Sequence, residues 1–313
     1  MRRGRAEVTL GTRRVAKVEP AQRPLLLLAP GRPRGSRARA RLIADAERRA
    51  MIVAALKPAD RLRAVALIVE ATQADAVLVC ADPPVQAVVA AVAASRDLPF
   101  ACMPAGPDDL LARDLGVPLD DPGEALSLPF STAERTIDLA EVNGVKFVNY
   151  AAVGVELPPS IAHAHHATHS KPLPGPGRAT RIAREAIAHT ETEPARAVLV
   201  CNNRFELRED RLGARAWPDS GLLQVVTFDA HGGDRTFAGL RHAGFQEHSC
   251  ASFELAARSP LRVEIDGEPR ELSPPLRFRC VHSAVRVRTA AEGMEATAGA
   301  REALAELESL GTG

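Results

Sequence analysis

The first half of the chain alternates short apolar runs with longer amphipathic segments, and this alternation constrains the fold most strongly. The apolar runs predict strands at Leu25–Leu28, Met51–Leu56, Ala76–Cys80 and Phe100–Met103. Helices are predicted between and after them, at Arg37–Ala50, after Pro58, at Val85–Ala94 and at Asp108–Leu115. Because the apolar runs lack polar alternation, both faces of each strand are expected to be buried. The pattern therefore predicts a parallel sheet covered by helices on both faces.

The pattern changes after Leu126, where period-two alternation replaces the apolar runs. Arg135–Leu139 alternates polar and apolar residues, Asn143-Gly144 is a strong hairpin signal, and Lys146–Val153 is predicted as the partner strand. Further strands are predicted at Ala197–Cys201, Leu222–Phe228, Leu261–Ile265, Leu276–Val281 and Val285–Arg288. We therefore predict an α/β plus all-β chain, in which a doubly wound α/β nucleotide-binding domain precedes an antiparallel, β-sandwich-like domain.

The chain is long enough for two hydrophobic cores, since it has 313 residues and 46% hydrophobic content. We predict a basic leader at 1–22, an α/β domain at 23–128 and an antiparallel β domain at 129–290. The segment 291–313, which contains a predicted amphipathic helix at Ala300–Leu310, is expected to rejoin the α/β domain. Another helix is predicted at Thr180–His189.

The composition excludes several classes of protein. The 40 Lys and Arg residues nearly balance the 39 Asp and Glu residues, so a globally basic nucleic-acid-binding protein is not indicated. The five cysteines are scattered and include no close pair, which favours reduced thiols in the cytoplasm. No apolar segment is long enough to span a bilayer, so we expect any lipid to be met from the cytosolic side, at the inner face of the membrane.

Two kinds of cluster, one of arginines and one of histidines, leave alternatives open. Arginines crowd two segments of the chain, namely Arg2, Arg3, Arg5, Arg13 and Arg14, then Arg32, Arg34, Arg37, Arg39 and Arg41. They are typical of a solvated surface or of a phosphate or anionic-lipid contact. The second cluster comprises His163, His165, His166 and His169. It lacks an acidic or cysteine partner, which favours a polar surface segment over a zinc site.

Several motifs follow one another at characteristic spacing. They are Cys80-Ala81-Asp82-Pro83-Pro84, Pro104–Pro118, Arg135–Leu139, Asn143-Gly144, Pro218–Val225 and Ile265-Asp266-Gly267-Glu268-Pro269. Their order over Leu25–Thr289 resembles the diacylglycerol kinase and sphingosine kinase family of bacterial lipid kinases. This resemblance implies an ATP-dependent, magnesium-dependent transferase of phospholipid metabolism that phosphorylates the alcohol group of a diacylglycerol-like or sphingoid lipid at the membrane surface.

The resemblance also implies roles for individual residues. Asp266 is expected to be the general base for the lipid hydroxyl, and Asp219 is expected to hold the metal. Nucleotide-binding roles are implied for Asp82, Gly106, Asp108 and Glu268.

The sequence departs from the family pattern at the positions that should hold phosphate and metal. Pro83, Pro84 and Pro107 have no backbone N–H to donate to a phosphate, so the use of ATP and Mg²⁺ is open. Arg215 and Ser220 stand where the family has metal-associated carboxylates. Two main hypotheses remain: an active lipid kinase, or a non-catalytic pseudokinase relative that binds a lipid or a partner. Phosphorylation of another acceptor is a third, because nicotinamide-dinucleotide kinases share a related glycine-rich loop.

Overall fold

A computed structural model describes residues 16–32, 35–57, 62–104, 106, 109–119, 123–157, 196–215, 218–229 and 234–290. Some of the predicted features lie outside these residues, namely most of the basic leader, Pro107, Asp108, the His163–His169 cluster, and the helices predicted at Thr180–His189 and Ala300–Leu310.

The first half of the chain alternates strands and helices, as the apolar runs predict. After the short strand β1 (Ala16–Lys17), the elements are β2 (Pro24–Leu28), α1 (Ser36–Arg48), β3 (Ile52–Ala55), α2 (Leu62–Thr72), β4 (Ala76–Cys80), α3 (Pro83–Ser95), β5 (Phe100–Met103), α4 (Leu110–Asp114) and a 3-10 helix (Glu124–Phe130). Strands β3, β2, β4 and β5 are adjacent in that order and parallel.

The order of these parallel strands creates a topological switch between β2 and β4. From β2 the chain moves through α1 to β3 on one side, and it then returns through α2 to β4 on the other side. Leu28 pairs with Cys80 at the carboxyl ends of the two central strands. In open α/β sheets, the crevice beyond such a switch point is where ligands bind. The loops after Leu28 and Cys80 therefore lie where a ligand site is expected.

The second half is dominated by antiparallel strands. Its elements are β6 (Ala133–Val142), β7 (Val145–Phe147), β8 (Tyr150–Val153), β9 (Arg196–Asn202), β10 (Phe205–Leu207), β11 (Leu212–Arg215), β12 (Leu223–Asp229), α5 (Phe237–Ala243), β13 (Phe245–Cys250), β14 (Ser252–Leu255), β15 (Leu261–Ile265), β16 (Glu268–Leu272) and β17 (Leu276–Thr289). Six strands form one antiparallel sheet in the order β13-β12-β9-β8-β15-β16, and β10 pairs with β11.

The long strands β6 and β17 connect the two halves. They pair with each other along most of their length, and Val287 of β17 also pairs in parallel with Phe100 of β5. A nine-stranded sheet results, with the order β1-β6-β17-β5-β4-β2-β3 and with β7 and β14 added beside it. The predicted fold class is confirmed, and β17 brings a strand of the second half into the sheet of the first.

Two strand predictions need correction. Lys146–Val153 is not a single strand, because β7 pairs with β6 whereas β8 joins the second sheet. The chain leaves the ladder between them because the backbone N–H groups of Val148 and Asn149 donate to the Asp266 carboxylate. Conversely, the two strands predicted between Leu276 and Arg288 are one strand, whose pairing with β6 shifts register between Val281 and Val285.

We predict that Leu27→Ala destabilises the protein far more than Leu67→Ala does. Leu27 is fully buried in β2, whereas Leu67 is 55% exposed on α2. Removing a buried leucine side chain costs about 2–5 kcal/mol through lost transfer energy and a residual cavity, whereas an exposed leucine costs less than about 0.5 kcal/mol. Denaturant unfolding followed by circular dichroism measures both, and similar losses in the two variants would contradict the described packing.

Candidate functional site

An ion pair lies beyond the carboxyl ends of β2 and β4. Asp82 follows β4 and Arg32 follows β2; both are buried, and an Nη2 of Arg32 donates to Oδ1 of Asp82. The loop that carries Arg32 is held by the Arg39 guanidinium, which donates to the carbonyls of Ala29 and Arg32. The Asp82 carboxylate, to which a nucleotide-binding role is assigned above, is thus already neutralised by the chain itself.

The start of α3 offers no backbone donor to a ligand. Pro83 and Pro84 occupy its first two positions, and proline has no N–H. The next two residues, Val85 and Gln86, donate their N–H groups to the carbonyl of Asp82 at 3.0 Å each. Helix N-termini bind phosphate through unsatisfied N–H groups, and all four positions lack one here.

The second loop is built around Asp109 and Gln86. Asp109 caps α4, since its Oδ1 accepts from the Ala112 N–H at 3.0 Å. Its Oδ2 accepts from Nε2 of the fully buried Gln86 at 2.7 Å, and the same Nε2 donates to the Ala81 carbonyl at 2.9 Å. Gln86 therefore ties the first loop to the second. Gly106 contributes its carbonyl, which accepts from the Asp109 N–H at 3.3 Å.

Arg215 is a buried cation where the resemblance expects a metal-associated carboxylate. Its Nε donates to Oδ2 of Asp114 at 2.8 Å, and both side chains are almost fully buried. Its Nη1 donates to the carbonyls of Val148 and Asn202 at 2.7 and 2.9 Å. Burial raises the pKa of Asp114, although the neighbouring charge of Arg215 lowers it. This pair links α4, in the first half of the chain, to β11, in the second.

The Asp266 carboxylate accepts three backbone hydrogen bonds. The N–H groups of Val148, Asn149 and Tyr150 donate to it at 2.8, 2.9 and 3.0 Å. Asp266 itself lies in the turn between β15 and β16 with a positive φ of 50°, and it is 1% exposed. Burial raises its pKa to about 6, although the three N–H donors and the charge of Arg215 lower it. Asp266 and Arg215 therefore hold the 148–150 segment from two sides.

The remaining implied site residues in the described part of the chain are Glu268 and Asp219. Glu268 is half-buried on β16 and accepts from Nη2 of Arg270 at 2.9 Å. Asp219 is partly buried in the turn before β12. Among the described residues, no group of three or more His, Cys, Asp and Glu side chains is arranged to hold a metal ion.

Asp138 is a buried carboxylate that connects several segments of the chain, and the sequence patterns did not reveal this role. It is fully buried in β6 and accepts hydrogen bonds from the N–H groups of Ser283 and Gly221 at 2.7 and 2.6 Å and from the Asn203 amide at 2.7 Å. Nδ1 of His282 lies 3.0 Å from its Oδ1. Asp138 thus fixes both the register shift of β17 and the turn that carries Asp219. The available signal was an acidic residue between two apolar ones, in Ile137-Asp138-Leu139.

Comparisons with known proteins support the resemblance. Residues 30–142 match the family model of the diacylglycerol kinase catalytic domain. The fold matches a structure described as a "putative diacylglycerol kinase" from Bacillus anthracis str. Sterne, with a TM-score of 0.61 and 15% identity over 88% of this chain and 99% of that chain. Another structure, of a diacylglycerol kinase from the same organism, gives a TM-score of 0.61 and 15% identity over 87% and 98%. No curated protein matches the sequence.

We predict that Arg215→Met strongly destabilises the protein. The substitution leaves the buried Asp114 carboxylate without its cation, which costs about 3–5 kcal/mol. Arg208→Met is the matched control, because the Arg208 side chain is 41% exposed and pairs with the exposed Glu206; its loss should cost less than about 1 kcal/mol. Denaturant unfolding measures both, and the double variant Arg215→Met/Asp114→Leu should recover most of the loss. Equal losses in the two single variants would contradict a buried role for Arg215.

We also predict that the free energy of unfolding depends on pH through the titration of Asp266. Its pKa rises from 3.8 to about 6 on folding, so the folded state retains a proton that the unfolded state releases. The contribution of Asp266 to the free energy of unfolding is fully present below pH 3.8. It is lost as the pH rises through about 6, a change of about 3 kcal/mol. The unfolding free energies of the wild type and of Asp266→Asn, measured over this range, should therefore diverge with pH. Parallel curves would contradict the raised pKa.

Proposed function

We propose that this chain, whose residues 30–142 belong to the diacylglycerol kinase catalytic domain family, binds a lipid or a protein partner without transferring phosphate. The observation that carries this proposal is the buried ion pair of Arg32 and Asp82 at the switch point of the sheet. The pair occupies the crevice in which an α/β sheet of this topology places its ligand.

The residues of this crevice do not fit the phosphates of ATP. Phosphate binding needs backbone N–H groups or available cations. The start of α3 provides no N–H group, because two positions are proline and the next two N–H groups are bonded to the Asp82 carbonyl. The guanidinium of Arg32 is engaged with the Asp82 carboxylate. A triphosphate would have to break a buried ion pair without receiving new donors from this helix.

The residues around Asp219 do not fit Mg²⁺ either. Magnesium binds oxygen ligands and prefers carboxylates, whereas Arg215 places a buried positive charge in this part of the chain. Its partner carboxylate, Asp114, is neutralised by the ion pair. The Asp114 carboxylate is therefore already paired with a cation of the chain itself.

The proposed ligand follows from the family, whose substrates are lipids. We propose that the protein is cytoplasmic and meets this lipid at the inner face of the membrane. No described helix has both the length and the apolar content needed to cross a bilayer.

A second candidate function is an active, ATP-dependent lipid kinase that acts on an alcohol group. It is favoured by Asp266 and Glu268, which stand in the order that the family motif requires on the β15–β16 hairpin. In this case Asp266 takes the proton of the lipid hydroxyl, and its pKa of about 6 leaves it ionised at neutral pH.

We predict that calorimetric titration of the full chain with magnesium-ATP at millimolar concentration shows no binding heat. The expected result follows from the occupied crevice and the missing N–H donors. Binding that is lost in Asp82→Ala would contradict the proposal.

The same protein, incubated with magnesium-ATP and diacylglycerol or sphingosine, should give no phosphorylated lipid by mass spectrometry. A product that depends on magnesium and disappears in Asp266→Asn would establish the second candidate instead. The variant must first be shown to fold by circular dichroism, because Asp266 anchors three backbone N–H groups.

A further inference from the structure

The long strand β17 contains an irregular segment that faces a single residue of β6. The pairing of the two strands shifts so that residues 282 to 284 of β17 lie opposite Asp138 alone. Ser283, in the middle of this segment, has a positive φ of 50°, which is uncommon for a residue other than glycine. Bulges of this kind re-aim side chains and are frequent beside active sites. The segment therefore holds its side chains in an arrangement that a regular ladder would not produce.

This segment places a serine, a histidine and an aspartate in a chain of hydrogen bonds. Oγ of Ser283 lies 3.3 Å from Nε2 of His282, and Nδ1 of His282 lies 3.0 Å from Oδ1 of Asp138. Serine hydrolases arrange a nucleophile, a base and a group that orients the base in this order. Catalytic hydrogen bonds are often as long as the one at Ser283 before a substrate binds, and they shorten afterwards.

The Asp138 carboxylate determines which nitrogen of His282 can act as the base. An ionised carboxylate only accepts hydrogen bonds, so Nδ1 of the neutral imidazole carries the hydrogen and Nε2 presents its lone pair to Ser283. The Thr136 hydroxyl supports this direction, because its Oγ1 donates to Oγ of Ser283 at 3.2 Å. The hydrogen of Ser283 is therefore left for Nε2, as general-base catalysis requires.

The orienting carboxylate is buried, whereas the two groups that would react are accessible. The Asp138 side chain is fully buried and accepts from the N–H groups of Gly221 and Ser283 at 2.6 and 2.7 Å. The His282 side chain is 62% exposed, and Ser283 is exposed as well. Gly221 leaves room for the imidazole, since a Cβ at this position would lie 3.2 Å from Nδ1. A substrate can thus approach Ser283 from solvent while the base is held from the interior.

We propose that Ser283 and His282 are the catalytic residues of a site that hydrolyses carboxylic esters, and that Asp138 positions the imidazole. Oγ of Ser283 attacks the carbonyl carbon while its proton passes to Nε2 of His282; that proton then leaves with the alcohol. Water, deprotonated by Nε2, cleaves the resulting acyl-serine and releases the carboxylic acid. The Thr136 hydroxyl is near enough to donate to the oxyanion. The proposal goes beyond the proposed function, because neither ATP nor Mg²⁺ takes part.

The test combines hydrolysis of p-nitrophenyl butyrate by the full chain with labelling by a fluorophosphonate. The wild type should release p-nitrophenolate and should gain one phosphonyl group, located on Ser283 by peptide mass spectrometry. His282→Gln and Ser283→Gly should each lower the rate roughly 100-fold or more, because a positioned general base contributes roughly 10²–10⁴-fold. Both variants should fold, since the two positions are exposed and glycine adopts a positive φ without strain.

The chain supplies a matched control in a second His-Ser pair, His248-Ser249, which is exposed on β13. The His248 imidazole lies against the Phe253 ring. His248→Gln and Ser249→Gly should leave both the rate and the labelling unchanged. An equal loss in these controls, an unchanged rate in Ser283→Gly, a phosphonyl group at other residues only, or no hydrolysis by the wild type would each overturn the proposal.

The positioning role of Asp138 has a readout of its own. NMR of the imidazole nitrogens at pH 8 should find the hydrogen of His282 on Nδ1 in the wild type, and a hydrogen on Nε2 would contradict the base assignment. In Asp138→Asn the side-chain amide can donate to Nδ1, which moves the hydrogen to Nε2 and should lower kcat roughly 100-fold or more with little change in KM. The same tautomer change without a loss of kcat would mean that the contact is merely structural.

Discussion

The candidate site depends on the buried ion pair between Arg215 and Asp114. The Arg215 guanidinium pairs with Asp114 of α4 and donates to the carbonyl of Val148. The Asp266 carboxylate accepts hydrogen bonds from the backbone N–H groups of residues 148 to 150. This segment is therefore clamped between a buried cation and a buried carboxylate. The clamp explains why the chain leaves the first sheet after β7 and enters the second at β8, and it ties α4 to the antiparallel half.

A second buried ion pair, between Arg32 and Asp82, lies at the switch point of the sheet. In both places the chain supplies its own cation to a carboxylate that would otherwise be available to a ligand or a metal. Buried pairs of this kind contribute little net stability, because desolvation of the charges offsets their attraction, but removal of one partner is costly.

Local sequence patterns predicted the parallel strands because each is an uninterrupted apolar run, and Ala76–Cys80 and Phe100–Met103 were predicted to the residue. The same reasoning failed at Lys146–Val153, since a carboxylate more than a hundred residues away decides where that segment divides. Gln86 and Asp138 were missed for the same reason, because their partners come from distant parts of the chain. The motif order predicted a resemblance that the family match over residues 30–142 supports, whereas the two buried ion pairs required the three-dimensional contacts.

The central claim, that this chain's own arginines replace the external cation, is tested most directly by titrating the isotope-labelled protein with Mn²⁺ and ATP and recording amide resonances by NMR. A bound paramagnetic ion broadens the signals of nearby residues. The account predicts no selective broadening at Asp82, Asp219 or Gly221 when Mn²⁺ is stoichiometric with the protein. Selective, saturable broadening at these residues, reversed by excess Mg²⁺, would contradict it.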